Sequence, residues 1–407
     1  MSKSLTVLSF VLAALATVGG ADAAPKRSAK KAKPKTSVPA RPAAAAPAPV
    51  AATPAAPSSG SVRVTLDCKK ADSSNKACSV SGDHVGAGPA FVNGSIGAEI
   101  GSGFVEGSTL YVMSTSATEN QYDKCQEYCA ISALYKVDLT TGNRTIVSGY
   151  YKDPRQGVTV TGSGPYWSRA ASVVRGSDGS FFVYTNETNS AKPHVIYKVD
   201  AKGDRTEVWS SATKPCDAPG ATFSSSPSIA AGPNNTIYLA GDIGQSRGAV
   251  AKLDVATGKC SVFSASGTNL GSGATSSVLR GPAVVNGKLY ALGYNEVVMQ
   301  INLTTGARML VSKGSGGGIV GTGPYPGTTE AFAGSSGNVW TTGGQARRPV
   351  SVDIESGNRA EAETSGPAES IQLHGYAELP GKVIVGGYLD GVYLLDATTN
   401  RSVVISR

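Results

Sequence analysis

Residues 134–148 read Leu134-Tyr-Lys-Val-Asp138-Leu-Thr-Thr-Gly142-Asn-Arg-Thr-Ile-Val-Ser148, and this stretch decides the fold because it recurs along the chain. Further copies follow at intervals of about 50 residues, the kind of period that marks a repeat architecture. These copies begin at Ile196, Val250, Val298, Pro349 and Val392. The chain is therefore expected to consist of one structural unit used six times.

The repeated stretch predicts a β-hairpin. Apolar residues alternate before the Asp, which predicts a strand with one buried face and one exposed face. The Asp carboxylate can accept backbone N–H groups of the turn that follows, and the Gly supplies a residue with positive φ. Because an Asp or Asn stands here in every copy, we interpret it as a turn residue rather than as a metal ligand or an acid.

Each hairpin is preceded by further sequence that is typical of strands, such as Thr109-Leu-Tyr-Val-Met113 ahead of the first copy. Four strands in a unit of about 50 residues form the blade of a β-propeller. We therefore predict an all-β chain with a propeller of six blades, each with four antiparallel strands. A seventh blade stays open as an alternative, because residues 62–67 and 76–81 look like one more hairpin.

The repeat resembles the NHL-like repeats of bacterial propellers, in which a VDxxTGxRTxVS hairpin is followed by GxGP and a strand. The GxGP element of this chain stands at Gly86–Pro89, Gly162–Pro165 and Gly321–Pro324. The resemblance spans roughly residues 75–406 and implies the fold more than an activity, because propellers host many functions. Related six-bladed lactonases hold a metal in the central channel, and seven-bladed lyases use His and Glu.

The N-terminus has the layout of a secretory signal peptide. Lys3 precedes an apolar stretch over residues 5–18, and Ala21-Asp22-Ala23 fits a cleavage site. Residues 24–60 are rich in Ala, Pro and Lys and lack aromatic side chains, which predicts a disordered linker. We therefore predict a signal peptide at 1–23, a linker at 24–60 and the propeller at 61–407. Cleavage near Ala23 would deliver the protein to the periplasm or outside the cell.

The positive charge of the chain is concentrated at this end. Residues 1–60 carry eight Lys and Arg and one acidic residue, a net charge of +7 against +8 for the whole chain. The remainder is almost neutral, so it offers no surface suited to nucleic acid. The basic linker is instead expected to contact anionic polymers of the envelope. No later stretch contains about 18 consecutive apolar residues, so no membrane span is predicted.

Six cysteines in an exported chain predict disulfides. Short loops favour one pairing scheme among the fifteen that six cysteines allow. In that scheme Cys68 pairs with Cys78, Cys125 pairs with Cys129, and Cys216 pairs with Cys260. A metal site is the alternative, but the Cys-x3-Cys stretch has no His or second cysteine pair nearby.

No contiguous catalytic motif emerges from the sequence. Residues 316–321 match GxGxxG, but no helix follows them, so the match fails the context test for a dinucleotide site. The three His residues stand apart from one another, and no cofactor is predicted. The alternative is a metal-dependent lactonase, hydrolase or lyase with its site at the channel mouth. It would place a divalent metal among acidic residues that follow inner strands, namely Glu119, Asp242, Glu296 and Asp390.

Loops and links carry a richer set of aromatic and Arg side chains, which are common in binding faces. The candidates are Trp167, Arg169, Tyr294, Arg347, Arg348 and Tyr388. An alternative for Trp167 is that its ring seals neighbouring blades. We therefore predict a binding or scaffolding module rather than an enzyme. Its ligand, a protein or a carbohydrate, is not named by the sequence.

Overall fold

The structure is a computed structural model in which β-strands and turns account for most of the described residues. It describes residues 86–89, 91, 98–116, 132–153, 157–167, 170–186, 194–217, 223, 227–243, 247–294, 296–327, 330–334, 337–342, 348–362, 374–379, 383–388, 391–396 and 401–406. The predicted signal peptide, linker and N-terminal hairpin lie outside these residues. Within them, no helix is long and apolar enough to cross a membrane.

The first three blades are antiparallel sheets whose strands follow one another in chain order. The first blade contains β1 Ala98–Glu106, β2 Thr109–Ser116, β3 Ser132–Asp138, β4 Arg144–Asp153 and β5 Gly157–Thr161. The second contains β6 Ala170–Arg175, β7 Phe181–Asn186, β8 His194–Val199 and β9 Arg205–Ser210. The third contains β10 Ser228–Ala231, β11 Thr236–Ile243, β12 Arg247–Asp254 and β13 Lys259–Ala265.

The last three blades repeat the same order of strands. The fourth contains β14 Leu279–Val285, β15 Lys288–Gly293, β16 Val297–Ile301 and β17 Arg308–Lys313. The fifth contains β18 Glu330–Ala333, β19 Val339–Thr342, β20 Val350–Val352 and β21 Arg359–Glu361. The sixth contains β22 His374–Leu379, β23 Val383–Tyr388, β24 Gly391–Asp396 and β25 Arg401–Ser406. The six-bladed β-propeller predicted from the repeat is confirmed.

The first blade differs from the prediction of four strands. After β4, the chain turns back and β5 pairs antiparallel with it, from Gly149 opposite Thr161 to Asp153 opposite Gly157. The outer edge of a blade has unpaired N–H and C=O groups, so it can accept an added strand. The alternating sequence Gly157-Val-Thr-Val-Thr161 supplies one here.

Apolar side chains fill the spaces between neighbouring blades. Six separate clusters of buried residues form, one at each junction around the ring, and one of them joins Leu394 of the sixth blade to Leu110 of the first. The ring is therefore closed by six blades. A strand packed between two blades is buried on both faces, as along the whole of β11. The prediction of one exposed face, made for the strand before each Asp, is wrong for β8, which has no exposed residue.

The first strand of each blade lines a central channel. A cavity of about 1180 Å³ is bounded by β1, β6, β10, β14, β18 and β22, and it extends past Asn186 and His194 at the edge of the second blade. Most of the wall consists of Gly, Ala, Ser and Val. The inner strands thus leave a wide channel whose surface is made chiefly of small side chains.

Candidate functional site

The Asp or Asn at the end of the third strand acts as a turn residue in the first five blades. Asp138 Oδ1 accepts the N–H groups of Thr140 at 2.7 Å and Thr141 at 3.3 Å. The Thr140 N–H is the main reason that the pKa of Asp138 lies below its usual value. Gly142 adopts a φ of 73° and donates its N–H to the Asp138 carbonyl. Asn302 accepts the equivalent pair of N–H groups in the fourth blade, so the interpretation from sequence is confirmed.

The Arg that follows this turn binds the preceding blade, an arrangement that we call the arginine tie. Arg205 Nη1 donates to Ser148 Oγ at 2.9 Å, and Arg205 Nε donates to the Pro165 carbonyl at 2.9 Å. Ser148 Oγ in turn donates to the Gly203 carbonyl at 2.6 Å. Burial lowers the pKa of Arg205, but its hydrogen bonds satisfy the desolvated guanidinium.

The arginine tie recurs at three other junctions. The Arg–Ser pairs are Arg308 with Ser264, Arg359 with Ser312 and Arg144 with Ser406. The last pair joins the final strand to the first blade, and Ser406 Oγ also donates to the Gly142 carbonyl at 2.7 Å. Sequence reasoning assigned no role to these Arg side chains. Their recurrence at one position of the repeat was the signal that could have identified them.

A disulfide takes the place of the arginine tie between the second and third blades. Cys260 stands opposite Leu253 in the β12–β13 pair, as Arg308 stands opposite Ile301 in the β16–β17 pair. Cys260 therefore occupies the Arg position of the repeat, and it is bonded to Cys216 from the link after the second blade. The predicted Cys216–Cys260 pair is confirmed. The predicted pairs Cys68–Cys78 and Cys125–Cys129 lie outside the described residues.

The polar side chains at the channel are held by neighbouring groups. His194 Nδ1 lies 2.8 Å from the Tyr184 hydroxyl, and His194 Nε2 lies 2.9 Å from the Phe223 carbonyl. A carbonyl only accepts, so Nε2 donates and Nδ1 accepts from the hydroxyl. Burial lowers the pKa of His194, which favours this neutral form. Glu378 Oε2 accepts the indole N–H of Trp340 at 2.9 Å.

The acidic residues of the metal alternative are only partly described. Asp242 is buried at the end of β11, whereas Glu296 follows β15 with a φ of 58°. Glu119 and Asp390 lie outside the described residues. Over the part of the chain that the structure describes, no group of three or more His, Cys, Asp and Glu could hold a metal ion.

The predicted binding residues fall into different environments. Trp167 is fully buried, and its Nε1 donates to the Ser132 carbonyl at 2.8 Å. Its ring therefore packs between blades, which corrects the prediction that Trp167 belongs to a binding face. Tyr294 is 64% exposed, and Arg348 lies at the surface of the fifth blade with its Nη1 3.5 Å from Glu361 Oε1. The side chains of Arg169, Arg347 and Tyr388 are not described.

A second cavity lies at the junction of the fourth and fifth blades, and we call it the junction cavity. It has a volume of about 610 Å³ and is lined by the Gly321–Pro324 backbone, Ile319, Tyr325, Arg359 and Glu361, together with Arg348. Ile319 is 63% exposed and Tyr325 is 42% exposed. Apolar side chains and charged groups thus meet in one concave place, as is typical of binding sites.

Glu296 stands behind the junction cavity. Its carbonyl accepts the N–H of Gly314, a cavity residue, and its charge acts on the Arg359 guanidinium. Tyr294, two residues earlier, donates its N–H to Ser276 Oγ at 3.0 Å, so its backbone lies against the link that precedes the fourth blade. Two of the large apolar side chains that are exposed in the described residues, Ile319 and Tyr325, line the junction cavity.

Comparison with known proteins identifies one family. Residues 155–362, just over half of the chain, match the family model described as outer membrane protein assembly factor BamB. No curated protein matches the sequence.

Two solved structures are reported among those that are similar to this chain. One is a crystal structure of a nidogen/laminin complex, with 9% identity over 65% of this chain and 78% of that chain. The other is a catalytically inactive virginiamycin B lyase from Staphylococcus aureus with quinupristin, with 12% identity over 74% of this chain and 96% of that chain. Their TM-scores of 0.41 and 0.42 are too low to carry any inference about this protein.

Proposed function

This chain belongs to the family of the outer membrane protein assembly factor BamB, and from that premise we propose that it is an exported binding or scaffolding module for proteins of the bacterial envelope. The family description supports a role in assembly rather than a chemical reaction. The predicted signal peptide supports export to the periplasm or beyond. Both the export and the identity of the partner belong to the proposal.

The observation that carries the proposal is the exposed surface beside the fourth and fifth blades. Ile319 and Tyr325 are large side chains that remain exposed in the lining of the junction cavity beside Arg348, and Tyr294 is a third exposed large side chain, on the fourth blade. Tyr and Arg are enriched among the residues that dominate protein interfaces. An apolar surface with a charged rim is suited to a protein partner.

The rest of the ring supports this surface as a rigid frame. Apolar clusters occupy all six junctions, and hydrogen-bonded Arg side chains or a disulfide fasten five of them. A surface that is held in place before binding loses little conformational entropy when a partner docks. This favours a scaffold that presents fixed loops.

The finer assignments remain parts of the proposal. The resemblance to NHL-like repeats, the contact of the basic linker with anionic polymers and a carbohydrate ligand are predictions that the family does not decide. The alternative of a metal-dependent hydrolase or lyase requires Glu119 and Asp390, which lie outside the described residues. It also stays a prediction.

Site-specific photocrosslinking in a bacterial host tests the proposal. The full chain would carry p-benzoylphenylalanine at Tyr294, with a matched variant at Lys252, an exposed residue of β12 in the third blade. We expect one envelope protein to crosslink at Tyr294 and not at Lys252. That protein would then be purified and titrated with the full chain.

Two results would contradict the proposed function. One is equal crosslinking of the same proteins at both positions, which would indicate nonspecific contact. The other is a purified candidate that fails to bind the full chain in calorimetry, because a scaffold must hold its partner reversibly in solution.

A further inference from the structure

Aromatic rings cover the arginine tie between the first and second blades. The Arg205 guanidinium lies 5.2 Å from the ring centre of Tyr150 and 5.3 Å from that of Trp167. Tyr150 also packs against Tyr166, with their ring centres 4.5 Å apart. The junction is therefore filled by aromatic side chains of the chain itself, which favour a cation over their faces.

The register of the strands identifies the equivalent residues at the junction cavity. Gly149 directly follows Ser148, the Ser of one arginine tie, and pairs with Ala133 of β3. Lys313 directly follows Ser312, the Ser of another arginine tie, and pairs with Val297 of β16. Gly314 therefore corresponds to Tyr150. No ring can extend from a glycine, so the first of the two rings is absent from this junction.

The second ring is absent as well. Arg205 Nε donates to the Pro165 carbonyl and Arg359 Nε donates to the Pro324 carbonyl, so these two prolines are equivalent. The residue two positions later is Trp167 in one link and Pro326 in the other. At the junction of the third and fourth blades, Ser266 stands at the position of Tyr150 and Ser276 at that of Trp167. The Ser276 N–H donates to Ser266 Oγ at 3.0 Å.

The junction cavity opens where the two rings are absent. Arg359 lines the cavity, and within the described residues no aromatic ring lies over its guanidinium. Tyr325, the equivalent of the packed Tyr166, is left 42% exposed at the cavity wall. A volume of about 610 Å³ falls within the usual range of ligand pockets, about 300–1000 Å³.

The cavity also contains a carboxylate oxygen that accepts no hydrogen bond within the described residues. Glu361 Oε1 is shielded from solvent and forms an ion pair with Arg348 Nη1 at 3.5 Å, but no hydrogen bond reaches it. A buried acceptor of this kind is costly unless a donor reaches it. At the first–second junction, the buried Trp167 brings an N–H group that meets an acceptor. An occupant with both a ring and an N–H group therefore matches the junction cavity.

We propose that the junction cavity is a socket for an aromatic residue, best a Trp, carried by an extended segment of a partner protein. The ring would lie over Arg359 as Tyr150 and Trp167 lie over Arg205, against Tyr325 and the exposed Ile319. An indole or backbone N–H of the segment would reach Glu361. This inference rests on the proposed function and names the chemistry that the partner presents.

Two probes and three variants of the full chain test the inference. The probes are N-acetyl-tryptophanamide and its matched analogue N-acetyl-leucinamide, followed by saturation-transfer NMR and calorimetry. We expect the tryptophan probe to bind about tenfold more tightly than the leucine probe, since only the aromatic ring gains the cation–π contact.

Gly314→Tyr should place a ring of the chain itself in the junction cavity and weaken binding of the tryptophan probe about tenfold. Gly314 has a backbone that other residues adopt, but a Cβ there would lie 2.7 Å from the Tyr325 ring and 2.9 Å from Pro326 Cδ, so the link must shift to admit it and the melting temperature of the variant has to be compared with that of the parent. Ile319→Ser removes an exposed wall of the cavity and needs no refolding of the core. Met309→Ser is the control, because Met309 is exposed on β17 but does not line the cavity.

Equal affinity for the two probes would overturn the inference. So would undiminished binding of the tryptophan probe by both Gly314→Tyr and Ile319→Ser, provided that each variant melts like the parent. If the partner crosslinked at Tyr294 still binds Gly314→Tyr with full affinity, the socket is refuted while the proposed function stands. Loss of that partner in Gly314→Tyr but not in Met309→Ser would support both.

Discussion

Removal of the disulfide between the second and third blades should destabilise the propeller substantially. Cys216 and Cys260 are separated by 44 residues in sequence. Closing a loop of this length lowers the entropy of the unfolded chain by an amount worth about 4 kcal/mol at 25 °C. Residual structure in the unfolded state reduces that value, so we expect Cys216→Ala/Cys260→Ala to lose about 2–4 kcal/mol.

The measurement is urea unfolding of the full chain, with and without a reducing agent. Trp209 is buried in the same apolar cluster as the two cysteines, so its fluorescence reports on this junction. With the reducing agent present in both samples, the parent and the double Ala variant should unfold at the same urea concentration. A loss below about 1 kcal/mol would refute the view that the disulfide fastens the ring.

A second variant tests whether an arginine tie could replace the disulfide. Cys260 occupies the Arg position of the repeat, but the Ser position of the preceding blade holds Trp209, which stands opposite Ile196 as Ser148 stands opposite Leu134. Cys216→Ala/Cys260→Arg would therefore bury a guanidinium without its Ser acceptor and should be no more stable in urea unfolding than Cys216→Ala/Cys260→Ala. If the Arg variant is clearly the more stable of the two, the tie does not need the Ser.

Three further predictions concern the ring and its turns. Ser406→Ala removes the acceptor of Arg144 Nη1 and should cost about 1–3 kcal/mol in urea unfolding, whereas Ser351→Ala, an exposed serine, should be near neutral. Burial lowers the pKa of His194 in the folded state, so the unfolded chain binds the proton first and the parent should lose unfolding free energy as the pH falls below 6.5. His194→Gln should not show this loss. An identical dependence of the unfolding free energy on pH in parent and variant would contradict this. Asp138→Asn should be tolerated at neutral pH and Asp138→Ala should not. Because the pKa of Asp138 is lowered in the folded state, its carboxylate stabilises the fold above pH 3.8, and this stabilisation is lost as the pH falls through the folded pKa. The melting temperature of Asp138→Asn should therefore depend less on pH in acid than that of the parent.

The fold was predictable because its main signal is local. Each turn depends on an Asp or Asn and a Gly that lie close together in sequence, such as Asp138 and Gly142. Their recurrence predicted six blades, and the hairpin-like residues 62–67 and 76–81 left a seventh open. The fifth strand of the first blade was less accessible, because Gly157–Thr161 has the alternation of a strand but stands outside the repeat.

The ties between blades could not be derived from sequence in the same way. Arg205 is local to one hairpin, but its partners Ser148 and Pro165 come from the preceding blade and link. Pairing them requires knowledge of how successive blades face one another. The disulfide was the exception, because elimination among the cysteines left Cys216 with Cys260.

The candidate site was the least predictable part. Tyr294 and Arg348 were identified as aromatic and charged loop residues; Arg348 lines the junction cavity, and Tyr294 is exposed on the fourth blade. The cavity itself arises from rings that are missing at Gly314 and Pro326, and a missing side chain has no motif. Trp167 shows the converse problem, since a Trp in a link serves either packing or binding, and burial decides between them.

The arginine ties also bear on how the ring would come apart. In the sixth blade, Ser402 stands opposite Leu395, so the position that holds Arg or Cys elsewhere carries a short side chain. The junction of the fifth and sixth blades thus relies on its apolar cluster without a tie from that position. Amide hydrogen exchange should accordingly be fastest across this seam. The fifth blade also forms one wall of the junction cavity. If the junction of the fifth and sixth blades opens, the fifth blade can move, and we expect that movement to set the dissociation rate of a segment bound in the cavity.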